Sequence, residues 1–179
     1  MIYFTADTHF GHENIIKFCN RPFSDVHEMN EYMINAWNAR VRANDTVFIM
    51  GDMFFKSEEN PEYILSRLHG SKRLIVGNHD HGWISKLNPN RFFESINSIL
   101  EYSDNGKNFV MCHYPLFTYR HESKWYMIHG HIHNNTDLDF WPLLKSRPLV
   151  LNAGADINNF MPVTFEELVA NNERFKDEH

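Results

Sequence analysis

Short apolar runs, each cut off by a cluster of Gly, Asp, Asn or His, set the rhythm of this chain. Ile2–Ala6, Thr46–Met50, Arg73–Val76 and Leu149–Ala153 read as strands. Between the first two, Met29, Met33, Trp37 and Val41 recur every four residues on one helical face. Ser24 or Asp25 is placed to cap that helix, which runs to about Val41. Asn60-Pro61 opens another helix, and Gly70 stops it after Leu68. The second half changes character. Ile96–Tyr102 and Asn108–Cys112 flank Asp104-Asn105-Gly106, a hairpin turn signal. A loop rich in aromatics follows (Tyr114, Phe117, Tyr119, Trp125, Tyr126), then a short strand running into Gly130. Thr164 and Glu167 form a capping box for a C-terminal helix. Strands alternating with helices, followed by hairpin-linked strands, predict an α/β sandwich of two sheets with helices outside. No repeat or linker divides the sequence, so a single domain is expected over residues 1–179.

Composition narrows the function. At 179 residues, 42% hydrophobic and 22% charged, the chain is an ordinary globular one, large enough to bury a core without staples. Its formal net charge of −6 argues against a broad, charge-driven surface for double-stranded nucleic acid. Cys19 and Cys112 are the two cysteines and form no CxxC, so neither a disulfide framework nor a thiolate zinc site is expected. No basic segment leads into a long apolar stretch, and none approaches bilayer length. A cytoplasmic location without membrane partners is the expectation. Nothing in the pattern carries a signal for oligomeric state.

The chemistry lies in five segments: Asp7-Thr8-His9, Gly51-Asp52, Gly77-Asn78-His79-Asp80, His113 and Gly130-His131-Ile132-His133. Four of them sit just beyond a strand signal, so loops at one sheet edge would bring two Asp, one Asn and several His together. Carboxylate oxygen and imidazole nitrogen without thiolate suit a pair of divalent cations: manganese, iron, zinc or nickel. A two-metal hydrolase needs one carboxylate shared by both ions, and Asp52, behind a glycine that lets backbone approach closely, is the natural candidate. Asp7 and His9 are two apart, as are His131 and His133, so each pair would face one way if its strand continued through it. Asn78, a neutral donor, keeps the total negative charge low. Singly these motifs are weak; Gly-Asn-His-Asp alone reads as a tight turn. Together, in this order, they point to hydrolysis of a phosphate ester.

The sequence resembles the calcineurin-like metallophosphoesterases, whose pattern is DxH, GD, GNH(D/E), a later His, and GHxH. The likeness covers positions 7 to 133, and Asn152-Ala153-Gly154 resembles a segment that follows in many members. It implies a four-layer α/β/β/α sandwich of two mixed sheets flanked by helices. It also implies one ion on Asp7, His9, Asp52 and His133, and another on Asp52, Asn78, His113 and His131. A hydroxide bridging the ions would attack phosphorus in line, while His79, not itself a ligand, contacts phosphate or protonates the leaving group. Manganese is the first expectation for the metal. The serine/threonine phosphatase branch carries GDxxDRG, whereas Gly51-Asp52-Met53-Phe54-Phe55-Lys56 stands here, which disfavours a phosphoprotein substrate. The chain looks instead like the short bacterial or phage-type members. Their substrates include phosphomonoesters, phosphodiesters and nucleotides, and trimming of single-stranded nucleic-acid ends is the alternative. A non-catalytic scaffold on the same fold is disfavoured, because His79 and the full ligand set remain.

Further candidates are less determined. Asp80 could orient the His79 imidazole or cap a helix beginning near Gly82. His12, one turn past the first ligands, could reach a substrate phosphate or be a surface histidine at a helix start. Arg120 and His121 could close over a substrate from the aromatic loop or stand in solvent. His129 reads as a residue behind the ligands, and Cys112 as a small core residue. Tyr114, Phe117, Trp125 and Tyr126 could stack a nucleobase or be buried. His27, His69, His81 and His179 are assigned to the surface or to helix ends.

Overall fold

Consecutive apolar residues of a strand point to opposite faces, and here those faces belong to different cores. The computed structural model describes residues 1–57 and 60–179. Strands β1 (Ile2–Thr5), β2 (Thr46–Ile49), β3 (Ser71–Ile75) and β4 (Phe93–Asn97) form one sheet in that order. Strands β5 (Ile99–Asp104), β6 (Lys107–Cys112), β7 (Tyr126–His129) and β8 (Val150–Asn152) form the other. Tyr3, Val47, Ile49 and Leu74 pack outward against helices α1 (Glu13–Phe18), α2 (Val26–Arg40), α3 (Pro61–Arg67) and α4 (His81–Ile84). Their neighbours Phe4, Phe48, Met50 and Ile75 face inward and meet Phe109, Met111, Ile128 and Leu151 of the second sheet. Val110, Cys112, Met127 and Val150 point out again, under Trp141 and Leu144 of α5 (Trp141–Lys145). Helix α6 (Phe165–Glu178) reaches the central core through Leu168 and the outer one through Phe175. Each such side chain removed from water stabilises the fold by roughly 1.5–3 kcal/mol before entropy is counted.

The expected two sheets flanked by helices are present, with two corrections. The first sheet is not mixed: β1 to β4 are all parallel, because a helix-bearing crossover joins each consecutive pair. The second is mixed, with β5 antiparallel to β6 and the rest parallel. The expected strand Ile96–Tyr102 is two strands, broken at Ser98, where the chain leaves one sheet for the other. Its hairpin turn is as expected, with Asn105 and Gly106 both left-handed. Asp25 caps α2 by accepting from the Glu28 N–H, Asn60 caps α3, and the Thr164–Glu167 box is complete. Helix α5 carries no sequence signal; at five residues it is too short to show periodicity. A parallel bridge between Ala6 and Gly154 ties the end of β1 to the segment after β8, joining the two sheets at one edge. Among the described residues no helix is long and apolar enough to cross a membrane.

Candidate metal centre

All five motif segments follow the carboxyl ends of strands: β1, β2, β3, β6 and β7. Ligand-bearing loops of parallel sheets collect at that end. The backbone there is unusual. Asp7 (φ 52°), His9 (φ 50°), Asp52 (φ 52°), His131 (φ 72°) and His133 (φ 52°) all lie in the left-handed region that L-residues avoid. Such conformations cost of order 1–3 kcal/mol each and persist where surrounding structure enforces them. They also overturn the parity expectation for His131 and His133, while Asp7 and His9 share one cluster. Strands β1 and β7 have ended before these residues, and the twisted backbone sends His131 and His133 into different clusters. Glycine is required where the loops touch: a Cβ on Gly77 would lie 2.2 Å from Asp52 Oδ1, and one on Gly51 2.6 Å from the Gly77 nitrogen.

The motif residues form two donor groups, and His133 also lies in a third with Cys19 and Asp156. Asp7, His9 and His133 bring donor atoms within 4.8 Å of one another, and so do Asp52, His113 and His131. Asp52 stands between them. Its Oδ2 is 3.4 Å from His113 Nε2 and 3.9 Å from His9 Nε2. Asn78 Oδ1 lies 2.9 Å from His113 Nε2, which adds a neutral oxygen to the second group. The His131 N–H donates to both oxygens of Asp7, at 3.1 and 2.9 Å.

Electrostatics follow from burial and crowding. Burial pushes the Asp7 carboxyl up to about 6. The Asp52 carboxyl is buried too, yet the His113 imidazole holds it below the usual carboxylate range. Burial opposes charge on His113 and His133, but Asp52 raises the first, and Asp7 with Asp156 lifts the second to about 11. Carboxylates and imidazoles of the centre thus favour one another's charged forms. His9 is held well below its ordinary value by burial and by the neighbouring His133 and Arg21 charges. Both His9 ring nitrogens are buried with no hydrogen-bond partner among the described residues. An unmatched buried polar atom costs about 1–3 kcal/mol. A divalent cation fits this set, because it would take one ring nitrogen of each imidazole and offset the buried carboxylate charge.

Residues that the sequence did not single out hold the ligands in place. His133 Nδ1 donates to Asp156 Oδ2 at 2.8 Å, which leaves Nε2 free to face the cluster. Asp156 in turn accepts from the buried Arg21 guanidinium, Nε to Oδ1 at 2.8 Å. Arg21 also donates to the Asp7 and Thr8 carbonyls, so one guanidinium braces both the Asp7 and the His133 sides of the first donor group. Asn152 donates to the His133 carbonyl. On the opposite side His113 Nδ1 donates to the Met50 carbonyl at 2.8 Å and directs Nε2 at Asp52. Asp156 follows the Asn152-Ala153-Gly154 segment closely, and a search for the carboxylate that orients a ligating His would have found it there. Arg21 carries no such signal.

The remaining candidates divide. His79 sits beside the centre, half-buried, its Nε2 3.9 Å from Asp52 Oδ2 and its N–H donating to Asp52 Oδ1. Its ring packs on Phe55, centroids 3.9 Å apart. Asp80 does neither thing expected of it. Its side chain forms no helix cap and does not orient His79; it accepts the N–H groups of Asp52, Met53 and Gly77 and the Trp83 indole. Asp80 thus ties its own loop to the one that carries Asp52 and fixes the backbone there. His12 does start α1 but is buried rather than on the surface, with its ring 5.4 Å from that of His9. Arg120 is not at the centre: it is exposed, pairs with Glu101 at 3.0 Å and lies over Trp125. His121 stands in solvent beside Trp125. His129 is buried behind the ligands against the Gly130 carbonyl, and Cys112 belongs to the core. Of the loop aromatics, Tyr114 meets the edge of His131 and Phe117 is exposed, whereas Trp125 and Tyr126 pack on the cores.

Comparison with known proteins agrees with this geometry. The family described as calcineurin-like phosphoesterase matches residues 1–171. An uncharacterized protein of Methanocaldococcus jannaschii is 36% identical over 170 residues, covering 94% of this chain and 89% of its own length. The gene 66 protein of Mycobacterium phage L5 is 37% identical over 81 residues, 44% of this chain and 39% of that protein. Among solved structures, a protein of unknown function from Aquifex aeolicus superposes with a TM-score of 0.72 at 27% identity, over 93% of this chain and 96% of its own.

Proposed function

The chain belongs to the calcineurin-like phosphoesterases, and on that footing we propose that it hydrolyses a phosphate ester using two divalent cations that share Asp52. The observation that carries this reading is the position of Asp52 Oδ2, within 3.9 Å of an imidazole from each donor group. One cation would take Asp7, His9, Asp52 and His133; the other Asp52, Asn78, His113 and His131. Bound there, the pair would supply a nucleophile at neutral pH and offset charge on the phosphoryl oxygens. Manganese is the first candidate; iron, nickel and zinc suit the same donors.

The protein's own residues set geometry and proton flow. His79 is fixed from two directions, by its backbone bond to Asp52 and by the Phe55 ring, and its imidazole stays partly open to solvent. It is placed to give its proton to the departing alkoxide, a contribution typically worth ~10²–10⁴-fold. Phe55, where a phosphoprotein phosphatase would carry an acid, contacts the imidazole without accepting its proton. His12 is placed to donate to a phosphoryl oxygen. The net charge of −6 favours a small ester or nucleotide over a duplex.

The test is turnover of nitrophenyl phosphate esters by the manganese-loaded protein. Chelation should abolish it and add-back restore it. On an alkyl phosphate ester, whose leaving alkoxide needs a proton, His79→Ala should lower kcat by about 10²–10⁴-fold with both cations still bound; unchanged kcat there would remove the role assigned to His79.

A further inference from the structure

Two cavities of nearly equal size, ≈ 630 and ≈ 620 Å³, adjoin the centre. The first is walled by His131 and His133, the second by His79 and Phe55. A row of rings runs between them. Phe55 meets His12 at 4.9 Å, and His12 meets Phe18 of the first cavity at 6.3 Å. His12 is only 7% exposed, and its Nδ1 has no hydrogen-bond partner among the described residues. A polar atom thus lies unmatched on the ridge that separates the two spaces.

A phosphomonoester has one organic substituent, which a single cavity would hold. A phosphodiester has two: one departs and one stays on phosphorus. His79 lines the second cavity, so the group that departs belongs there. The first cavity then receives the group that stays, and its chemistry is specific. Phe18 and Phe140 present rings that are 75% and 43% exposed, large for apolar side chains beside a polar centre. Asn20, Asn135 and Asp137 add amide and carboxylate groups, and its lining contains neither Lys nor Arg. Rings with hydrogen-bonding edges and no cation suit a flat, uncharged group with polar edges and do not suit a second phosphate.

We propose that this centre acts on phosphodiesters whose retained substituent is nucleoside-like, held in the cavity beside His131 and His133. The proposal rests on the phosphoesterase reading above and names its substrate class. The reaction balances with water alone. A bond forms between the water oxygen and phosphorus, the bond to the leaving oxygen breaks, and that oxygen takes the His79 proton. The water's surplus proton passes to solvent and restores His79. The products are a nucleoside monophosphate and an alcohol.

The experiment uses the full chain with manganese and three chromogenic substrates: nitrophenyl phosphate, bis-nitrophenyl phosphate, and the nitrophenyl ester of a nucleoside monophosphate. The nucleoside diester should exceed the monoester in kcat/KM by about tenfold or more, within the range that base stacking on aromatic rings supports. Phe18→Ala with Phe140→Ala, both on the surface, should cut the ratio of those two constants several-fold. A monoester hydrolysed as well as the nucleoside diester, or a ratio unmoved in the double variant, would overturn the proposal and leave the phosphoesterase reading standing. No hydrolysis of any of the three would overturn both.

Discussion

At the scale of single residues, the centre is a set of side chains held against their own backbone preferences. His9 combines a left-handed φ of 50° with two unmatched buried nitrogens. Each of these costs of order 1–3 kcal/mol in the metal-free chain. His9→Gly should therefore leave metal-free stability to urea equal or higher while weakening metal binding; a clear loss of stability would show that the ring is held by packing instead. Asp156→Asn should lower manganese affinity by roughly 10–100-fold with an unchanged circular dichroism spectrum, because it exchanges the charged acceptor that orients His133 for a neutral amide oxygen. An affinity equal to wild type would confine Asp156 to bracing Arg21. The donor residues were legible in the sequence because Asp, Asn and His after a strand end carry their chemistry with them. Arg21 was not, because its bond to Asp156 spans 135 positions and depends wholly on the fold. Asp80 was misread for a related reason: local spacing suggested a cap, whereas its side chain also reaches the Asp52 and Met53 N–H groups in another loop.

At the scale of elements, strand ends and tight glycines place the donors. Gly77→Ala would drive a Cβ into Asp52 Oδ1 at 2.2 Å, so one of the two loops must shift. Manganese binding should fall by more than tenfold, about 1.4 kcal/mol, while the far-UV spectrum persists; binding at wild-type strength would show that the loops have slack. Lys72 in β3 offers a pH test remote from the centre. Burial lowers its ammonium from the ordinary 10.5 to about 8, and its Nζ donates to the Gly70 carbonyl. Between pH 8 and pH 10.5 the unfolded chain binds the extra proton, so this group makes stability rise with pH across that window. Below it the buried charge is a fixed cost. Lys72→Met should raise stability at pH 7 by about 1–3 kcal/mol and flatten the rise, as read from urea midpoints. A variant less stable at every pH would contradict this. Caps and the Asn105-Gly106 turn were readable because each is a local device. The break at Ser98 was not, since apolar residues continue on both sides of it while the chain changes sheet.

At the scale of the whole molecule, three apolar layers form a rigid frame whose single edge carries every donor. The Ala6–Gly154 bridge and the Asp7–His131 hydrogen bonds join the sheets at that edge, so occupancy of the centre couples to global stability. Metal at a hundredfold excess over its Kd should stabilise the fold by about 2.7 kcal/mol, raising Tm by roughly 5–10 °C. No shift on chelation would place the metal elsewhere. Layering was legible from continuous apolar runs in the strands, whereas the wholly parallel first sheet depended on which crossovers carried helices. The central claim is two cations meeting at one aspartate, and the most direct measurement is anomalous diffraction from manganese-soaked crystals. Two peaks per chain with the Asp52 carboxylate between them are predicted. A single peak, or two peaks neither of which touches Asp52, would contradict the account.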